Sequence, residues 1–295
     1  MTQVRTDRPD TTGTTSPGGP PTATGPSPIK LKHRAMWAFG NYDAVATEVV
    51  GGLGPVLVEA AGVQPGQRVL DVAAGSGNAA IPAAERGALV TAGDLTPELL
   101  DIGEHRAEQR GLSVRWVEAD AEFLPFGDGE FDTVMSCVGV MFAPFHQPVA
   151  DELLRVARPG GTIALINWTP EGFIGRMFAT MKDFVPAPPP GARPGPLWGT
   201  EAHVRELFGD GVAHLTAERR MLRVDRFAGA EQFRDFFKQF YGPTIAAYRG
   251  LADDPDRTAA LDRALIDLAR AAGADTGTME WEYLLVVAQR REGKR

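Results

Sequence analysis

The chain has a single cysteine, Cys137, so no disulfide framework can form within it. Its five histidines are scattered, with no spacing that would assemble a metal site, and no metal is expected. No run of 18 apolar residues occurs, and the N-terminus lacks the apolar stretch of a signal peptide. These absences argue against membrane insertion and export and leave a cytoplasmic protein by elimination. Positive charge is also short: 30 Lys and Arg stand against 38 Asp and Glu, a net charge of −8. That balance disfavours nucleic acid as a partner. No internal repeat is evident. What is abundant is apolar material, 43% of 295 residues, enough for the core of one elaborated α/β domain.

Residues 1–28 are dominated by Thr, Pro, Gly and Ser and read as a disordered tail. Residues 29–62 carry two or three helical segments, one with Met36, Trp37 and Phe39 and one from about Tyr42 to Val50. Strand and helix signals then alternate through 63–169. Strands are expected at 68–72, 89–93, 114–118, 131–137 and 161–167, with helices at about 77–86, 97–110 and 147–157. This alternation predicts a doubly wound parallel sheet, with the loops after each strand on one ligand-binding edge. Residues 170–250 form a variable stretch rich first in Pro and Gly, with strand signal at 214–224. The phenylalanine stripe at 233–241 follows one helical face and reads as the seat of a helix on its domain. Gly242-Pro243 is expected to end that helix. A helix at 256–272 and a strand at 280–289 complete the remainder, 251–295.

The densest chemical signal is Val69-Leu70-Asp71-Val72-Ala73-Ala74-Gly75-Ser76-Gly77. An apolar strand ends in a carboxylate, then a loop of small residues leads into a helix. Small residues let a ligand approach the backbone, and the helix start offers free N–H groups. Gly75 to Ala80 also fits a permissive dinucleotide fingerprint, with an acid, Asp94, nineteen positions beyond Gly75. A nicotinamide-dependent oxidoreductase is therefore one reading. Against it, a carboxylate at Asp71 would repel a pyrophosphate. A cationic, phosphate-free nucleoside such as S-adenosylmethionine suits the turn better.

Four blocks carry a resemblance: residues 69–77, Gly93-Asp94-Leu95-Thr96, Glu118 to Phe126 with Phe131-Asp132, and Glu152 to Gly161. Together they make the chain similar to class I S-adenosylmethionine-dependent methyltransferases, in the branch of ubiquinone and menaquinone biosynthesis. Ala79 stands in for a third glycine. The resemblance covers about residues 37–170. It implies a Rossmann-like, seven-stranded, mostly parallel sheet with an antiparallel last strand, under an N-terminal helical lid. It implies that Asp71 and the backbone of Ala73, Gly75 and Gly77 hold the methionine end of the cofactor. Asp94 would bind the ribose, Leu95 would pack on adenine, and Asp120 and Ala121 would meet the adenine edge. Cys137 and Val138 would touch the cofactor from the fourth strand, and Trp37, Asn41 and Tyr42 would close over it, with S-adenosylhomocysteine as product.

The acceptor is less legible. An apolar or aromatic small metabolite is favoured by the aromatics of the variable stretch. Met141, Phe142, Phe145, Phe173, Met177 and Trp198 are the pocket candidates, although such side chains also serve as core. His146 is the leading candidate for a general base because it follows the fourth strand, with His33 behind it. A protein that binds the cofactor without transferring methyl groups is a further alternative, and a homodimer is allowed.

Overall fold

A computed structural model describes residues 28–293. The expected tail lies outside the described residues except for Pro28, which begins the first helix. Three helices come first: α1 (Pro28–Trp37), α2 (Tyr42–Glu48) and α3 (Leu53–Ala60). The alternating part follows as β1 (Arg68–Val72), α4 (Ala80–Glu85), β2 (Leu89–Asp94), α5 (Pro97–Glu108), β3 (Val114–Glu118), β4 (Phe131–Cys137), α6 (His146–Val156) and β5 (Ala157–Trp168). The remainder is α7 (Phe173–Met181), α8 (Glu201–Phe208), β6 (Val212–Val224), α9 (Ala230–Phe240), α10 (Gly242–Gly250), α11 (Pro255–Ala271) and β7 (Met279–Arg290).

The strands form one sheet in the order β3-β2-β1-β4-β5-β7-β6. The first five run parallel, and β7 pairs antiparallel with both β5 and β6. Val69, Leu70, Val72, Val134, Met135, Ile163 and Leu165 are all buried, as expected of central strands covered on both faces. The strand order reverses between β1 and β4, so the loops after them diverge and leave a crevice at the switch point. That crevice is where the glycine turn lies.

The sheet and most helices fall where the sequence puts them, and the departures have local causes. The helix expected from residue 77 starts at Ala80, because Gly77 adopts φ +87° inside the turn. Helix α9 ends at Phe240, just before Gly242-Pro243 as expected, but a new helix, α10, follows at once. Tyr241 separates the two, and Pro243 sits in the first turn of α10, where its missing N–H costs no hydrogen bond. The Pro/Gly-rich stretch is preceded by an unexpected helix, α7, whose Phe173, Ile174, Met177 and Met181 are buried. The phenylalanine stripe does seat α9: Phe233, Phe236 and Phe237 are buried among Phe227, Phe173 and Trp281.

Helix α3 approaches the glycine turn closely at Gly54. A Cβ there would collide with the carbonyl of Asn78. Gly54→Ala is expected to lower stability by about 1–3 kcal/mol through overpacking. Urea denaturation checks this, and an unchanged midpoint would show that α3 yields freely.

Candidate active site

The turn after β1 is fixed by two carboxylates. Asp94, at the end of β2, accepts from the N–H of Gly75 and of Thr96, both at 2.8 Å. Asp71 accepts from the N–H of Ala80 at 2.8 Å and so caps the start of α4 from below. Its other oxygen is buried without a partner. Gly75 and Gly77 take positive φ, as the turn requires, but so do Ala73 (+54°) and Val138 (+58°). Left-handed backbone is uncommon for alanine and rare for a β-branched residue. Both strained residues sit at the switch point, one after β1 and one after β4. They are held there by neighbours: Ser136 Oγ donates to the Val72 carbonyl at 2.6 Å and accepts from the Val140 N–H at 3.1 Å.

Around this turn opens a cleft with about 810 Å³ of free space, part of it continuous with solvent. Of the residues the sequence singled out for the cofactor, Trp37, Tyr42, Ala73, Gly75, Asp94, Leu95, Asp120, Ala121, Cys137 and Val138 line it. Three do not. Asp71 is beneath the turn, Gly77 packs against Trp116 and Ile81, and Asn41 is exposed at the start of α2. Burial drives the ionisation of the acids. Desolvation, reinforced by the neighbouring Asp94, pushes Asp71 up to about 8 against two opposing backbone hydrogen bonds. Desolvation also raises Asp94, again opposed by backbone N–H groups. The Cys137 thiol and the Tyr42 hydroxyl are pushed well above their usual ranges by burial, so both stay protonated at neutral pH.

The lid brings in Lys30, Arg34 and Asp43, which the sequence did not single out, beside His33 and Trp37, which it did. Helix α1 lays Lys30, His33 and Trp37 on the cleft at one helical face. The Lys30 ammonium is buried between Asp120 Oδ1 at 2.7 Å and Glu122 Oε2 at 2.8 Å. Arg34 reaches Glu118 at 3.0 Å. Asp43 of α2 accepts from Ser76 Oγ and from Arg106, both at 2.7 Å, and so ties the lid to the turn. At the opposite end Trp37 meets Phe142 at 4.6 Å, Tyr42 at 5.2 Å and Tyr241 at 5.8 Å between ring centroids. The i, i+3, i+7 spacing of Lys30, His33 and Trp37 was available in the sequence. Its partners, ninety positions away for Lys30 and Asp120, were not.

The expected base and most of the expected pocket lie elsewhere. His146 is 2% exposed, and its Nδ1 sits 2.9 Å from Nε2 of His203 on α8. It begins α6, and that first turn faces α8 and Trp198 rather than the cleft. Burial first, then His203 and Arg193, lowers it to about 4, so it stays neutral. Met141, Phe173, Met177 and Trp198 are core residues, and Phe145 packs beside Gly191. Of the six pocket candidates, Phe142 alone lines the cleft. Among the described residues no group of three or more His, Cys, Asp or Glu could hold a metal ion, and no helix is long and apolar enough to cross a membrane.

An acid at the end of β2 and another after β3, set around a turn of small residues, suit the hydroxyls and base edge of a nucleoside. The methyltransferase-domain family matches residues 69–161. The chain belongs to the class I S-adenosylmethionine-dependent methyltransferases, and transfers a methyl group from that cofactor. It is 55% identical over 263 residues to an uncharacterized protein of Mycobacterium tuberculosis, covering 89% of this chain and 96% of the relative. Its core is 42% identical over 106 residues to the demethylmenaquinone methyltransferase of Thermus thermophilus, 35% of this chain and 48% of that protein. The fold is shared with the YcgJ protein of Bacillus subtilis, at TM-score 0.57 and 16% identity over 81% of this chain and 97% of that one. It is also shared with a phosphoethanolamine N-methyltransferase of Haemonchus contortus solved with S-adenosylhomocysteine. There the TM-score is 0.52 and the identity 16%, over 82% of this chain and 53% of that one. The nicotinamide reading is set aside by this family.

The buried Asp71 makes stability depend on pH. The group titrates near 3.8 when solvated and about 8 in the fold, so between those values the folded state binds more protons. Stability therefore falls as pH rises through that window, and the loss is complete above the folded value. Asp71→Asn is expected to flatten this slope. Thermal melts between about pH 5 and 8 test it, because the wild-type midpoint should fall across that range relative to the variant's. Parallel curves would refute it.

Proposed function

We propose that the protein methylates a small, apolar or aromatic metabolite by in-line displacement, without a dedicated general base. The observation that carries this reading is the wall of the cleft. One end offers Asp94, Leu95, Asp120 and Ala121, and the other is closed by the rings of Trp37, Tyr42 and Phe142. The acidic end suits a ribose and an adenine edge, and the turn at Ala73 and Gly75 suits an amino-acid moiety. Cys137 and Val138 border the space between them.

Bound S-adenosylmethionine supplies an activated methyl group on a sulfonium whose departure leaves a neutral thioether. The protein's task is then alignment and exclusion of water. The Asp94 carboxylate keeps a lone pair on each oxygen beyond the two backbone N–H groups it holds, and these suit the ribose hydroxyls. Leu95 gives the adenine an apolar face. The aromatic lid excludes water from the methyl end. No imidazole borders that end: the cleft's histidine, His33, stands beside Lys30 and Asp120. The relative named for demethylmenaquinone supports an apolar acceptor.

Titration calorimetry tests the donor half. S-adenosylmethionine should bind and NAD should not, and Asp94→Ala should weaken binding by about tenfold or more, the loss of a charged hydrogen-bond acceptor. Undiminished affinity in Asp94→Ala would sink the assigned role of that carboxylate. Mass spectrometry of candidate metabolites incubated with labelled cofactor then reads the transfer itself.

A further inference from the structure

The acid after β3 is gripped by an ammonium from the lid. Lys30 borders the cleft and is 6% exposed, and its Nζ lies 2.7 Å from Asp120 Oδ1 and 2.8 Å from Glu122 Oε2. The same Oδ1 accepts the N–H of Glu122 at 3.0 Å. Glu122 is held in turn, its Oε1 accepting the N–H of Phe145 at 3.0 Å. One oxygen of Asp120 therefore carries two donors. Among the described residues none donates to the other, Oδ2, although Asp120 borders the cleft.

Holding α1 on the loop after β3 does not require this arrangement. A buried ammonium carries a desolvation cost that an apolar side chain would avoid. The helix also has a more exposed tie, Arg34 to Glu118 at 3.0 Å. What the ammonium does, and a methyl group cannot, is fix the direction of a carboxylate. The ammonium only donates and the carboxylate only accepts. With two donors on Oδ1, the carboxylate cannot turn without losing both, and Oδ2 is left as a stationary acceptor.

We infer that Lys30 is a positioning residue for base selection: by pinning Asp120 Oδ1, it holds Oδ2 as a fixed acceptor that takes an aminopurine and rejects an oxopurine. This rests on the methyl-transfer reading above, in which Asp120 meets the adenine edge, and adds a residue that acts through Asp120 rather than on the cofactor. The exocyclic amino group of adenine donates to Oδ2, whereas a carbonyl at the same position sets oxygen against oxygen. A mobile carboxylate could escape that clash by swinging to the ring N–H beside the carbonyl. A pinned one cannot.

The test is titration calorimetry of the full-length protein with S-adenosylhomocysteine and with S-inosylhomocysteine, its deaminated counterpart. The wild type should prefer the adenosine form by about tenfold or more, the worth of a hydrogen bond to a charged group. Lys30→Met keeps an unbranched side chain in place and removes both ion pairs, and it should cut that preference about five- to tenfold. Arg34→Ala loosens the same helix at a residue that does not line the cleft, so it should shift the two affinities together and preserve their ratio. Asp120→Asn puts an amide oxygen under the two donors and an N–H group where Oδ2 stood, so the preference should reverse toward the inosine form. The assignment is overturned if the wild type binds both forms alike or if Lys30→Met keeps the wild-type ratio. It is equally overturned if Arg34→Ala lowers the ratio as far, or if Asp120→Asn still prefers the adenosine form. Should Lys30→Met lose both ligands, because Asp120 and Glu122 then face each other without a cation, Lys30→Met combined with Glu122→Gln removes that repulsion and its ratio decides. Failure of the wild type to bind either form would instead bring down the methyl-transfer reading.

Discussion

The carboxylate of Asp94 is the constraint on which the rest of the site depends. It ends β2, yet its two oxygens are given to the N–H groups of Gly75 and Thr96. One side chain thereby sets both the turn after β1 and the start of α5. With the turn fixed, Asp71 can cap α4, and Ala73 can be held in a backbone conformation it would not choose. The strain at Ala73 is matched across the switch point by Val138. Together they hold the backbone open between β1 and β4, where the cleft forms. The cost is met by the surrounding parallel sheet, whose buried strands leave the two loops no alternative path.

Over this rigid floor lies a cover of a different character. The floor is backbone, small residues and acids. The cover is α1 and α2, joined to the floor by Lys30, Arg34 and Asp43 and packed at one end through aromatic edges. An aromatic layer adapts to ligands of several shapes because its contacts are broad and weakly directional. The floor of the cleft is thus fixed by hydrogen bonds, and one end of its cover is bounded by rings.

The sheet was legible because its strands are short apolar runs bounded by glycine, proline and acids, and the glycine turn was legible because its residue types are few. The antiparallel last strand came from the resemblance, not from periodicity, and the order of the strands came from the structure alone. Asp71 is buried and largely protonated at neutral pH, so its repulsion of a pyrophosphate is weaker than its sequence position suggests. His146 was attractive because of its place after β4, but a helix start can face either way, and α8 captured it. Trp198 and Phe173 looked like pocket residues because they flank a Pro/Gly-rich stretch. They are instead core, and the aromatics bordering the cleft come from positions as distant as Trp37, Tyr42 and Phe142. Such convergence is a product of tertiary packing, which no local pattern encodes.

The ion pair beneath α1 has a redundancy. Lys30 is buried against two carboxylates, Asp120 and Glu122. A buried ammonium with one partner would be stranded whenever that partner turned to a ligand. With two, Asp120 can take another partner while Glu122 keeps the lysine neutralised. The second carboxylate is a charge reservoir, so α1 keeps its hold on the loop after β3 whatever the first is bonded to.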